Sequence, residues 1–221
     1  MTIQQKLEEA LSSIVKEPTR VFASGRTDAG VHSKGQVFHF STSIEIPEDR
    51  WPFAFNNKLP KDIVVLDAVR VPDDFHARFD AAEKTYRYCL WNHRISNAFL
   101  RRYAWHIPYS LDIDVMRKGA SFLIGEHDFT SFCSNKAVVV NRTRHVYEIS
   151  IEEEGSGEIW LTFRGKGFLY NMVRIMVGTL VQVGSGKYPY EAVQQILKAR
   201  DRNRAGVTAP AHGLFLWNVK Y

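Results

Sequence analysis

The second half of the chain spells out an ordered run of strands and helices, and that run constrains the fold more than any other feature of the sequence. Residues 143–153 read as a strand that turns at Gly155-Ser156-Gly157 into a second strand over 158–164. A long apolar helix follows over about 168–183, closed by Gly184, and then a helix over 189–200 with Pro189 at its start. The segment from Gly213 to Tyr221 closes as a strand. Upstream, KTYRYCLWN (84–92) alternates so that Tyr86, Tyr88 and Leu90 share one face. A helix capped by Asp112 covers roughly 112–124. The order β-α-β-β-α-(α)-β predicts a ferredoxin-like, split βαβ unit.

The first half follows the same plan less completely. TIQQKLEEALSSIVK (2–16) places Ile3, Leu7, Ala10, Leu11 and Ile14 on one helical face. Thr2 with Gln5 forms a capping box, and Pro18 ends the run. Strands are expected over 20–24 and 35–42, a short helix over 48–57 and a continuous apolar strand over 62–71. Laid over one another, the halves match except for an opening strand, which the first half lacks and which would have to precede Met1. The expectation is therefore α+β: two similar units, each an antiparallel sheet backed by helices, with a ligand cleft between them. The boundary falls near Val71–Glu83, giving an N-terminal domain (1–80) that carries the loop described below and a C-terminal domain (81–221).

Composition excludes several classes. At 221 residues, folding hides roughly 70% of the unfolded chain's surface, enough for a core without staples. Hydrophobic residues at 45% and charged residues at 24% sit at the globular average, which argues against disorder. The apolar stretch 175–186 falls short of the ~20 residues a bilayer requires, and no signal peptide pattern opens the chain. Cys89 and Cys133 form no CxxC, against a disulfide scaffold or zinc ribbon and in keeping with a reducing cytosol. They read as buried small hydrophobes.

Lys plus Arg is 29 against 24 acids, a net charge of +5. Between Lys84 and Leu111 lie Lys84, Arg87, Arg94, Arg101 and Arg102 with no acid. Between Ile159 and Tyr190 lie Arg164, Lys166, Arg174 and Lys187, again with none. Both stretches are rich in Tyr, Trp and Phe. Such interleaving suits phosphate contacts with base stacking, and equally an ordinary solvated sheet face.

The loop SGRTDAGVHSKGQ (24–36) holds three glycines, a lone carboxylate at Asp28 and Arg26 two residues before it. Glycines allow sharp turns and close approach to a ligand, and a neighbouring Arg keeps a carboxylate ionised. Asp28 can thus be a nucleophile, a general base or a turn cap. Asp73, Asp74 and His76 (PDDFHAR) fit a turn better than an acid–base or metal cluster. Glu126, His127 and Asp128 lack a second cluster at ligand spacing, and no HExxH or HxH occurs, so no metal is expected.

The string GRTDAGVHSKGQVFHF resembles the signature of the tRNA pseudouridine synthase A family. TIQQKLEEAL, VPDDFHARFDAAEKTYRY, GEHDFTSF, FLYNMVRIMVG and HGLFLW resemble the same family in the same order, from Thr2 to Tyr221. Members usually carry a further N-terminal segment with a strand, the piece that the comparison of halves finds missing. The resemblance implies a cytoplasmic enzyme that isomerises uridine to pseudouridine in the anticodon stem-loop of tRNA, without cofactor and usually as a homodimer. On that resemblance Asp28 falls on the catalytic aspartate. Arg26 matches a residue that holds the target nucleotide out of the helix, Tyr86 the ring that stacks on uracil, Arg174 the partner of the carboxylate and Leu214 an apolar floor. Two other readings stay open: an RNA-binding relative without catalysis, and a metal-free hydrolase using Asp28 with a histidine such as His32.

Overall fold

The computed structural model describes residues 2–155 and 157–221. In chain order its elements are α1 (Ile3–Val15), β1 (Phe22–Ala23), β2 (His32–Ser33), β3 (Phe38–His39), α2 (Trp51–Asn56), β4 (Glu83–Asn92), β5 (Trp105–Ile107), α3 (Ile113–Ser121), β6 (Gly125–Asp128), β7 (Thr143–Glu154), β8 (Glu158–Gly165), α4 (Met172–Gly184), α5 (Ala192–Ala199) and β9 (Leu214–Lys220). Ser156, in the expected turn between β7 and β8, lies outside the described residues. No helix among the described residues is long and apolar enough to cross a membrane. The chain divides into two compact units. One runs to Arg26 and resumes over Gln36–Ala81; the other joins Thr27–Gly35 to Ala82–Tyr221.

In the first unit α1 starts where the sequence says it should, with the Thr2 hydroxyl accepting the Gln5 amide at 3.2 Å. Leu7, Ala10, Leu11 and Val15 are buried, and they pack with Val21, Trp51, Phe55 and Val65 into one small core. The expected sheet is much reduced: β1 and β3 pair over only two residues, Phe22 opposite His39 and Ala23 opposite Phe38. The run 62–71 forms no ladder at all. The Asn56 carboxamide takes the place of a neighbouring strand at Val65, accepting its amide and donating to its carbonyl, both at 2.8 Å.

The second unit realises the predicted order. Its seven-stranded sheet runs β2-β9-β4-β8-β7-β6, with β5 alongside β4. The inner four strands are antiparallel, in the spatial order of a split βαβ unit. The edges depart from the expected antiparallel pattern, because β2 pairs parallel with β9 and β5 parallel with β4. One face buries Tyr88, Leu90, Leu161, Phe163 and Leu216, most of them in the core that also holds Met116, Ile175, Met176 and Leu180 of the helices. The Asp112 carboxylate caps α3 by accepting the Val115 amide at 3.0 Å. On the other face the Arg87 guanidinium lies between Trp160 and Trp217, 4.4 and 4.6 Å from the ring centroids, and pairs with Glu154 at 2.9 Å.

The loop that sequence order assigns to the first domain packs mostly with the second. β2 lies beside Phe215 and Leu216, and the Lys34 amide donates to the Leu216 carbonyl at 2.8 Å. The His32 ring stacks on Phe215, and the Lys34 ammonium sits 4.1 Å from the Trp217 ring centre. Ladder and ring contacts together outweigh the short stretch of chain that links the loop to β1.

Candidate active site

Asp28 sits on a tight turn in which its carbonyl accepts the Val31 amide at 3.1 Å. Gly30 completes that turn at φ +84°, a conformation that glycine adopts without steric penalty. The carboxylate Oδ2 accepts a hydrogen bond from Arg174 Nη1 at 2.9 Å, and the two side chains keep only 21% and 16% of their exposure. Oδ1 has no hydrogen-bond partner among the described residues. An arginine–carboxylate pair of this kind is a charge-assisted hydrogen bond, and this one engages a single carboxylate oxygen.

Arg174 comes from α4, a helix buried at eleven of its thirteen residues; Arg174 and Gln182 are the two exceptions. Its guanidinium is held at two further points, and its backbone carbonyl at a third. Nε donates to the Ala209 carbonyl at 2.7 Å, and the Ala209 amide donates back to the Arg174 carbonyl at 3.1 Å. Nη1 also donates to Asn171 Oδ1 at 2.9 Å. The cation is therefore fixed to the start of its own helix and to the segment that leads into β9.

Tyr86 lies on β4 just after a register shift against β9, where β9 carries one extra residue, Trp217. Its ring meets Phe168 edge-on at 5.3 Å. Burial, and secondarily the negative charge of Asp28, push its phenol up to about 12, so it stays neutral and undissociated near neutral pH. Two residues on, Tyr88 is fully buried and donates to the Pro210 carbonyl at 2.8 Å. A side chain at Gly213 would meet that ring at 2.6 Å, so only glycine lets the chain pass there before β9 begins.

The second unit thus brings together Asp28, Arg174 and Tyr86 of the residues singled out from the sequence. Leu214 is buried in the core opposite Tyr88; the β9 residue opposite Tyr86 is Leu216. Arg26 is exposed and belongs to the first unit, so the cation that meets Asp28 is Arg174, 146 residues away in sequence, and not its near neighbour. Asn171, Phe168 and the Ala209 carbonyl escaped the sequence reading. Only Asn171 left a signal, as a polar residue immediately before an apolar helix.

Other candidates fall into structural roles. Asp73 and Asp74 are exposed in a turn. His127 contacts the Ile124 carbonyl, while Asp128 accepts from Thr130 and pairs with Arg200. His32 contacts the Arg102 carbonyl at 2.8 Å, its ring between Phe215 and Tyr103. Cys89 and Cys133 are free and buried.

A ferredoxin-like sheet that presents a turn-held aspartate to a helix-borne arginine places the molecule among α+β enzymes, and the chain belongs to the tRNA pseudouridine synthase family. The model of that family matches residues 1–80 and 120–221. Among similar proteins, the tRNA pseudouridine synthase A of Brevibacillus brevis is 52% identical over 221 residues, covering all of this chain and 90% of the relative. Those of Bacillus subtilis and Halalkalibacterium halodurans are 49% and 50% identical, covering 100% and 96% of this chain and 90% and 81% of theirs.

Proposed function

We propose that this protein isomerises uridine to pseudouridine in tRNA, at the anticodon stem-loop, with Asp28 as its catalytic residue. The observation that carries the reading is the Asp28 carboxylate, one oxygen held by Arg174 and the other without a hydrogen-bond partner among the described residues. A stem uridine must first leave the helix, at a cost of a few kcal/mol in stacking and pairing. Arg26 holds the vacated position in the RNA, the Tyr86 ring stacks on the extruded uracil, and Leu214 backs the pocket from the core. Asp28 then forms a covalent bond, either to C6 of the base or to C1′ of the ribose. The N1–C1′ bond breaks, the uracil turns, C5 bonds to C1′ and the bond to Asp28 breaks to return the carboxylate, while the C5 proton leaves and N1 takes up a proton in its place. No water is consumed and no redox change occurs, so the reaction balances as an isomerisation without a cofactor. Family resemblance supports a homodimer, checked by a solution mass twice that of the chain, and two free buried cysteines suit a cytoplasmic setting.

The test is release of tritium from tRNA labelled at uridine C5. Wild type should release it, and Asp28→Asn should lower kcat by on the order of a thousandfold or more while still binding tRNA. Binding by wild type without release would replace the proposal with a non-catalytic RNA-binding role, and release by Asp28→Asn at the wild-type rate would remove Asp28 from the chemistry.

A further inference from the structure

We infer that Asn171 is a positioning residue for the reaction, setting the angle at which Arg174 meets Asp28. The inference rests on the proposed role of Asp28. Asn171 stands at the N-terminal boundary of α4 in a left-handed conformation, φ +60° and ψ 8°, and is one of three non-glycine residues with positive φ among those described. At a helix start an Asn usually turns its carboxamide back to accept an amide of the first turn. Here that capping bond is not made. The carboxamide oxygen instead accepts from Arg174 Nη1 at 2.9 Å, the same nitrogen that donates to Asp28 Oδ2 at 2.9 Å.

The donor inventory makes the consequence definite. An arginine Nη carries two hydrogens; on Nη1 one goes to Asn171 and the other to Asp28. Fixing one hydrogen of a planar guanidinium fixes the direction of its twin. The Nε bond to the Ala209 carbonyl supplies the second anchor, so rotation of the fork about its long axis is blocked. Remove the Asn171 acceptor and the guanidinium keeps its charge and its Nε anchor but can swing its Nη edge relative to the carboxylate. No hydrogen bond links Asn171 to Asp28 among the described residues; both meet on Arg174 Nη1. Asn171 acts through Arg174, and a left-handed backbone is what brings its oxygen to that spot.

The left-handed backbone also makes the test clean. Asn171→Gly suits φ +60° better than Asn and removes only the carboxamide. Asn171→Asp tolerates the same conformation and keeps an acceptor oxygen. In the tritium-release assay Asn171→Gly should lose about tenfold in kcat, with KM for tRNA within about twofold of wild type and no loss of thermal stability. Asn171→Asp should stay within about threefold of the wild-type kcat. A wild-type kcat in Asn171→Gly overturns the inference, as does a rise in KM alone, and so does an Asn171→Asp enzyme as slow as the glycine variant. Asp28→Asn run alongside separates the two claims: an inactive Asp28→Asn beside a fully active Asn171→Gly removes only the role given to Asn171, whereas an active Asp28→Asn removes the role of Asp28 itself.

Discussion

The two compact units solve the same problem, hiding apolar surface, with unequal means. The first relies on two helices, a two-residue ladder and one side chain, Asn56, standing in for a strand. Its run 63–66 still alternates, with Val65 inside and Val64 and Leu66 at 59% and 76% exposure. The second closes a seven-stranded sheet over a long buried helix, and it holds Asp28, Tyr86 and Arg174 together. Groups that must be kept within a fraction of an ångström are better held where backbone ladders and packed helices leave few alternative arrangements. The contrast also predicts that the units open with different free energies.

Paired core deletions probe that contrast most strongly. Phe163→Ala and Phe55→Ala each empty a fully buried aromatic site and should each cost about 3–5 kcal/mol. Phe163→Ala should lower the main thermal transition, whereas Phe55→Ala should split off an earlier one confined to peptides of the first unit in hydrogen exchange. A single shared transition in Phe55→Ala would mean that the two units unfold as one. In the wild-type protein, amides of β4 and β8 should exchange on the order of a hundredfold more slowly than those of α1. Equal protection would erase the distinction.

A smaller effect is expected at Glu83, whose carboxylate receives Arg164 at 3.2 and 2.9 Å and Lys220 at 2.9 Å. The Arg164 bonds first, then Lys220, hold it below its ordinary value of 4.5. Because the folded value is the lower one, this stabilisation is complete above about pH 4.5 and is lost as pH falls through the folded value. Glu83→Gln should lower Tm by about 2–4 °C at pH 7, and the gap to wild type should close on acidification. A gap that widens in acid would contradict the assignment. The smallest effect concerns Tyr86: with Asp28→Asn its phenol should titrate below the wild-type value of about 12, seen by carbon NMR of labelled tyrosine. No movement would mean that burial alone sets it.

Much of the second unit was legible because its signals are local. Alternation over 84–92, the glycines between β7 and β8, the Asp112 cap and the closing strand all describe a residue's relation to near neighbours. The run 62–71 carried an equally apolar signal yet forms no strand, since a strand exists only through a neighbouring strand, and at Val65 a side chain takes that place. At the site, spacing alone could not tell whether Asp28 was a turn cap or a reactive group. The resemblance supplied Arg174, which no local rule connects to a loop 146 residues earlier. It did not supply Asn171, because its role depends on a left-handed backbone that an apolar pattern does not encode. The sequence also placed the loop with the first half, since sequence order records connectivity and says nothing of which ladder a segment joins.

The aromatic clasp on the far face of the sheet has a practical consequence. Lys34, from the same loop as Asp28, rests on Trp217, and Trp217 with Trp160 encloses Arg87. A cation against an indole perturbs its excited state, so Trp217 emission should shift when Lys34 leaves the ring. The shift is read as the difference between wild type and Trp217→Phe, because Trp51, Trp91, Trp105 and Trp160 also emit.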